Sequence, residues 1–164
     1  MSRLLIVFLD MLRLRSGPQD LPASRGLMVV LAILYIAGGF MAGNVMSEPD
    51  YAPRAMVAIG VQFAFAILLL KFKGLADRIQ QTISALAGTG FIFGMVSVYL
   101  LSLIDIEKPQ VELVAFYMVL FFWSLTVEGH IFRHALSSKM GTGLLVAVTI
   151  FAINFVLLRL LFGQ

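Results

Sequence analysis

The residues of this chain with the most chemical potential are two histidines and a glutamate near position 130. His130 and His134 stand four positions apart, a spacing that lies on one face of a helix and can hold a metal ion. Glu128 precedes His130 by two positions and points to a different face, so the segment lacks a third ligand. We therefore predict no metal site, with His130 and His134 as weak candidates only. We interpret the segment, which includes Arg133, as a solvated or headgroup-facing helix end.

The sequence lacks the residues and motifs of most other catalytic and cofactor sites. The chain has two histidines, and a membrane haem held by two histidines needs them on facing helices, which argues against a haem ligand pair here. The absence of cysteine removes disulfides, thiolate metal sites and cysteine nucleophiles. The motifs of serine hydrolases, phosphate-binding loops and zinc proteases are missing. We predict a protein that is not an enzyme and has no cofactor, while partnership with a haem subunit and binding of a quinone stay open.

Several polar side chains lie inside apolar runs. Ion-coupled transport usually places acids or bases near the middle of the membrane, whereas the deep polar residues here are neutral, among them Gln62 and Asn154. We predict that these two side chains hydrogen-bond across helices as packing contacts. Glu128 is the one acid that adjoins an apolar run. If its helix continues to Leu136, Glu128 faces the bundle and pairs with a cation. The candidate partners are Lys71, Lys73 and Arg133.

The elements that must position these residues are long apolar runs. The chain is 60% apolar and 13% charged, with a mean hydropathy of +0.98, whereas a soluble domain has about 25% charged residues. A bilayer core about 30 Å thick requires roughly 20 helical residues, and the apolar runs lack the alternation of barrel strands. The sequence predicts an all-α polytopic membrane protein. Its five transmembrane helices are predicted at residues 25–46, 54–70, 82–104, 111–128 and 142–162.

An additional helix is predicted before the first span. Over residues 2–15, Arg3 and Asp10 share a face while most apolar residues lie opposite, which predicts an amphipathic helix lying on the cytoplasmic leaflet. The alternative is a helix docked against the bundle. Gly17-Pro18 is expected to end this helix, and Ser24 is expected to cap the first span. No linker is visible, so all 164 residues are predicted to form a single membrane domain.

The distribution of basic residues predicts how the chain is threaded. Lysine and arginine are enriched on the cytoplasmic side of membrane proteins. With five spans, nine of the twelve basic residues fall on one side and three on the other. The three are Arg54, Lys108 and Arg159. We predict a cytoplasmic amino terminus and a periplasmic carboxyl terminus, and the short loops favour a bacterial inner-membrane protein.

Small residues recur at a spacing that suits close helix packing. Residues four apart lie on one helix face, and small ones let another backbone approach closely. Such a face serves either packing within the chain, which we favour, or a dimer interface. The glycines concerned are Gly39, Gly43, Gly60, Gly90 and Gly94.

The segment before the first span resembles a known family. Gly17-Pro18 is followed by Gln19 and then by Asp20-Leu21-Pro22. Together with five spans and a cytoplasmic amino terminus, these residues resemble the Yip family of small membrane proteins, whose members carry an Asp-Leu-Tyr-Gly-Pro element in this region. In this chain the elements occur in the reverse order and the tyrosine is absent. The resemblance implies a non-enzymatic membrane protein with protein partners.

Two functions agree best with these features, and a membrane enzyme that works at the cytoplasmic boundary with His130, His134 and Glu128 is a third alternative. The first is a non-catalytic integral membrane protein that acts through helix association with partner membrane proteins or with itself. The alternative is a small transporter or lipid-handling protein with a polar cavity near Gln62, Asn154 and Glu128. Membrane lipids are expected partners of either. Nucleic acid is not expected, because the basic residues lie at the ends of apolar runs rather than in a patch on a folded domain.

Overall fold

The computed structural model of the chain describes residues 2–46, 50–103 and 110–163. Six α-helices follow one another in these ranges, which contain no strand. They are α1 (Ser2–Leu12), α2 (Arg25–Met46), α3 (Tyr51–Phe72), α4 (Ile79–Ser102), α5 (Val111–Ala135) and α6 (Met140–Phe162). Short 3-10 turns precede α2 and α4.

Five of these helices, α2 to α6, are long and apolar enough to cross a membrane, which confirms the predicted fold class. Their bounds differ from the predicted spans in places. Helix α3 begins at Tyr51 rather than at 54, and α5 continues to Ala135 rather than ending at 128. Residue 104, the last of the predicted third span, and Lys108 lie outside the described residues.

The outer surface of the bundle is apolar. Side chains such as Leu68, Phe72 and Leu160 are among the most exposed in the described residues, at 67%, 86% and 75%. In water this exposure would oppose folding, whereas in a bilayer it places hydrocarbon against hydrocarbon. The helices therefore need small or polar residues, rather than a hydrophobic drive, to specify how they pack.

Helix α4 is the centre of the bundle. It contacts α1, α2, α3 and α5, and eight consecutive residues from Thr82 to Thr89 are buried. Small side chains in this stretch let the surrounding helices approach. The hydroxyls of Thr82, Ser84 and Thr89 donate to carbonyls of the preceding turn of the same helix at 2.7–2.8 Å, so their polar atoms are satisfied without a partner helix.

Helix α1 packs against the bundle through one face. Phe8 and Met11 are buried, and the Phe8 ring lies against Gly88 of α4, where a side chain would collide with it. The Trp123 indole N–H donates to the carbonyl of Leu12 at 3.0 Å. This packing agrees with the docked alternative. The location of α1 on the cytoplasmic leaflet stays a prediction.

The connection from α1 to α2 differs from the predicted one at its start. Helix α1 ends at Leu12, earlier than the predicted residue 15, and Leu14 adopts a left-handed conformation with φ of 60°. Gly17 and Pro18 therefore begin the following 3-10 turn rather than end the helix. The predicted cap of α2 is confirmed, because the Leu27 N–H donates to the Ser24 hydroxyl at 3.3 Å.

Helices α5 and α6 cross at a pair of glycines. A Cβ atom at Gly143 would overlap the carbonyl oxygen of Gly129, and one at Gly129 would lie 2.9 Å from the Cα of Leu144. Both collisions are with backbone, which has little freedom to move. This crossing fixes the helix that carries Glu128 against α6.

Candidate functional site

A cavity of about 330 Å³ lies between α2, α3, α4 and α5. Its lining extends from Tyr51 and Leu101, near the helix ends that face the α2–α3 and α4–α5 connections, to Gln62 and Glu128 deeper in the bundle. The walls are mostly apolar and aromatic. Such a concave, largely apolar space with a few polar groups is typical of a small-molecule site.

Gln62 and Glu128 form the polar centre of the cavity. The Gln62 side-chain amide of α3 donates to Oε1 of Glu128 on α5 at 3.0 Å. Glu128 is half-buried and reaches the bundle interior because α5 continues through this position as helix. The predicted pairing of Glu128 with a cation is wrong, since within the described residues the acidic group meets this neutral amide instead.

The charge in the cavity is one-sided. Among the described lining residues Glu128 is the only acid, and none is lysine, arginine or histidine. Its second carboxyl oxygen, Oε2, has no hydrogen-bond partner in the described part of the chain. An ionisable side chain within a membrane span is costly and is usually retained for function. The cavity therefore presents a carboxyl oxygen that is available to a ligand.

Three of the four tyrosines in the chain line the cavity, and sequence reasoning missed them. The Tyr35 ring lies over Gly90 of α4, where an added Cβ would be 2.7 Å from the ring, and it contacts Phe63 with ring centroids 6.2 Å apart. Tyr51 and Tyr117 are the other two. Their hydroxyls make no hydrogen bond within the described residues. A tyrosine inside an apolar run gives no sign in sequence of whether it faces lipid or the interior.

The predicted glycines divide into two groups. Gly39 faces Ala55 of α3 with 3.1 Å between an added Cβ and its methyl group, and Gly43 faces the backbone of the same helix. With Gly90 beneath Tyr35, these glycines are used for packing within the chain. Gly60 and Gly94 have no neighbour within 4 Å of an added Cβ, but Gly94 lines the cavity while Gly60 is exposed on the surface.

Asn154 lies apart from the cavity that it was predicted to line. Its side-chain amide on α6 donates to the carbonyl of Ala58 on α3 at 3.3 Å, which links these two helices. Its Oδ1 atom is buried and has no partner in the described residues. The predicted polar cavity therefore brings together Gln62 and Glu128, but Asn154 faces the α3–α6 contact instead.

The two histidines hold the segment that follows α1. His130 is buried, and its Nε2–H donates to the carbonyl of Ser16 at 3.0 Å. The Gln19 amide lies 3.3 Å from Nδ1 of His134, and the two imidazole rings meet edge to face at 4.5 Å. In the described residues no cluster of three His, Cys, Asp or Glu side chains forms. The interpretation of His130 as facing solvent or headgroups is wrong, because the chain after α1 covers it.

A second, polar cavity of about 440 Å³ lies at the opposite end of the bundle. Arg78, Arg133 and His134 line it together with Asp77. One amino group of Arg78 donates to the carbonyl of Ala135 at 3.0 Å and to the hydroxyl of Ser137 at 2.6 Å, which satisfies the carboxyl end of α5. Part of this charge therefore has a structural role.

The arrangement around Glu128 suits binding more directly than catalysis. Its carboxyl group accepts a hydrogen bond from an amide, and no serine, threonine or histidine in the described lining forms a hydrogen-bonded pair with it. Comparison with known proteins gives no family assignment, because no protein-family model, curated protein or solved structure matches this chain.

Proposed function

We propose that this chain is a non-catalytic multi-pass membrane protein that holds a small polar or amphipathic molecule in the cavity beside Glu128, as a small transporter or lipid-handling protein. One observation carries the proposal: a cavity of about 330 Å³, walled by apolar and aromatic side chains, surrounds a carboxyl group whose only hydrogen-bond partner in the described residues is Gln62. That volume lies at the lower end of the range typical of small-molecule sites.

A purely structural role does not account for Glu128. Packing would be served by an apolar or neutral side chain, because interhelical hydrogen bonds in membranes contribute only about 0.6 kcal/mol on average. A charged side chain within a membrane span is costly, by about 2.5 kcal/mol or more at the centre of the helix and by less toward its ends. A role in binding offsets this cost, since the carboxyl group is then paired whenever the ligand is present.

A function in helix association, with partners or with a second copy, has less support than ligand binding in the cavity. Gly39, Gly43 and Gly90 pack within the chain, so they are not available as an external contact face. Of the five predicted glycines, Gly60 alone is an exposed small residue without a neighbour. Association therefore stays a prediction, as does the Yip resemblance, which agrees with a non-enzymatic role.

The charge distribution supports an orientation and a location for this proposal. Nine of twelve basic residues on one side favour a cytoplasmic amino terminus in a bacterial inner membrane. In that orientation the α2–α3 and α4–α5 connections face the periplasm. The cavity then lies in the periplasmic half of the protein, and the second, polar cavity lies at the cytoplasmic end.

A comparison of two glycine variants, one inside the cavity and one on the surface, tests the proposal. Gly94→Leu adds a side chain into the cavity, and Gly60→Leu adds the same atoms to the exposed surface of α3; an added Cβ has no neighbour within 4 Å at either position. The purified proteins are compared by native mass spectrometry for retained small molecules and by thermal shift with a panel of small organic solutes. We expect the wild type and Gly60→Leu to retain or be stabilised by the same molecule, and Gly94→Leu to lose it. Equal retention of small molecules and equal thermal shifts in all three proteins would contradict the proposal that the cavity is a binding site.

A further inference from the structure

We propose that the ligand of this cavity carries a positively charged amine or ammonium group, which binds beside the Glu128 carboxylate and against the aromatic wall. This inference rests on the proposed function, because it names the chemical class of the molecule that the cavity holds. Two independent features lead to it, the unbalanced charge of the lining and its aromatic composition.

The charge of the lining selects a cation. Glu128 is the only acid among the described lining residues, no basic residue faces it, and Gln62 occupies only one of its two carboxyl oxygens. An anionic ligand would meet a like charge with no compensating cation. A neutral ligand would leave the carboxylate with an amide as its sole partner in an apolar space. A cation removes the imbalance by direct pairing at Oε2.

The aromatic wall favours an organic cation over a metal ion. Tyr35, Phe91 and Phe93 line the cavity, and Tyr51 and Tyr117 line its outer end, each eleven positions along its helix from Gln62 or Glu128. Aromatic faces attract amine and quaternary ammonium groups through their negative quadrupole, which is how aromatic cages recognise such ligands. A metal ion would require several oxygen, nitrogen or sulfur ligands, and in the described residues no group of three acidic, histidine or cysteine side chains is present.

No other charged side chain lines the cavity around Glu128 in the described residues. Gln62 faces this glutamate from α3 and Tyr35 lines the cavity from α2, while Tyr117 of α5 lies eleven positions earlier than the glutamate, about 16 Å along the axis, and none of these residues carries a positive charge. Helix α4 contributes Thr89 and Ser97 to the lining, which are neutral. A proton and an ammonium group therefore compete for one carboxyl group, and no other charged side chain of the lining intervenes.

An ammonium group can reach the cavity from two sources. It can belong to a small water-soluble molecule or to the headgroup of an aminophospholipid. Both present the same chemistry to Glu128, and they differ in the remainder of the molecule. A comparison with and without added phosphatidylethanolamine separates them.

The test compares choline with 3,3-dimethylbutan-1-ol, a neutral molecule of the same shape. The purified full chain in a non-ionic detergent is titrated with each compound, and binding is followed by isothermal titration calorimetry. We expect choline to bind at least 10-fold more tightly than the alcohol. Glu128→Gln should weaken choline binding by about 10- to 100-fold, since the negative charge that attracts the ammonium group is lost. Glu112→Gln, which removes an exposed acid outside the cavity, should leave binding unchanged.

The outcomes separate this inference from the proposed function. Weaker choline binding in the presence of phosphatidylethanolamine identifies the headgroup as the source, and unchanged binding identifies a soluble cation. Equal binding of choline and the alcohol, or no binding of choline, overturns the inference even if Glu128→Gln does not fold. A molecule that is retained by Gly60→Leu and lost from Gly94→Leu would still support the proposed function in those cases.

Discussion

Replacing Gly143 by alanine should destabilise the protein through a single methyl group. The added Cβ would overlap the carbonyl oxygen of Gly129 and lie 2.7 Å from the backbone nitrogen of Arg133. Both are backbone atoms of α5, so the collision is relieved only if α5 and α6 move apart. That movement loosens the contact between these two helices and displaces Glu128, the residue next to Gly129.

Gly141, a second glycine of α6, provides the control for the size of this effect. Gly141 is exposed and has no neighbour within 4 Å of an added Cβ, so Gly141→Ala has no steric cost and gains up to about 1 kcal/mol of helix propensity. Gly143→Ala gains a similar helix propensity, but its added methyl group overpacks the contact between α5 and α6. Overpacking typically lowers stability by about 1–3 kcal/mol. The difference between the two variants therefore isolates the collision.

Thermal unfolding in detergent measures this difference. For a chain of this size, 1 kcal/mol shifts the melting temperature by about 2–4 °C, so the two variants should differ by roughly 2–12 °C, with Gly143→Ala the less stable. Equal melting temperatures would refute the glycine crossing of α5 and α6. The rotation of α5 that brings Glu128 to Gln62 would then need to be reassigned.

Three further predictions concern the polar residues. Glu128→Gln keeps an oxygen acceptor for Gln62, so its melting temperature should stay within about 3 °C of the wild type, whereas Glu128→Leu leaves the amide unpaired and should melt lower. His130→Ala removes the donor to the carbonyl of Ser16 and should raise hydrogen exchange in residues 12–21, more than His134→Ala, whose bond is exposed. Choline binding should weaken from mildly alkaline to acidic pH because protonation of Glu128 removes its charge, and Glu128→Gln should abolish that dependence in calorimetry.

The membrane fold was predictable from the sequence because bilayer thickness imposes a length on each apolar run. Helix rotation was not predictable to the same degree. Gln62 and Glu128 were singled out as polar residues in or beside apolar runs, and they meet in the cavity. Asn154 has the same sequence character, yet the packing of α6 directs it to Ala58. The sequence position of a polar residue in a uniformly apolar helix predicts its depth in the membrane, but it does not predict which neighbouring helix the side chain faces.

The crossing of α5 and α6 shows the same limit for small residues. Gly39 and Gly43 are four apart on one helix and were recognised by that spacing. Gly129 and Gly143 lie on different helices and meet only after both have been packed, so no spacing within one helix identifies them. Tyr35 was missed because its role depends on Gly90 of another helix.

Labelling with dicyclohexylcarbodiimide, an apolar reagent that modifies carboxyl groups, tests the cavity at Glu128 most directly. The labelled position is read by peptide mass spectrometry in the wild type, Gly94→Leu and Gly60→Leu. We predict modification of Glu128 in the wild type and in Gly60→Leu, and reduced modification in Gly94→Leu, whose added side chain occupies part of the cavity. An unmodified Glu128 in the wild type, or equal modification in all three proteins, would contradict the existence of a cavity through which small molecules reach this carboxyl group.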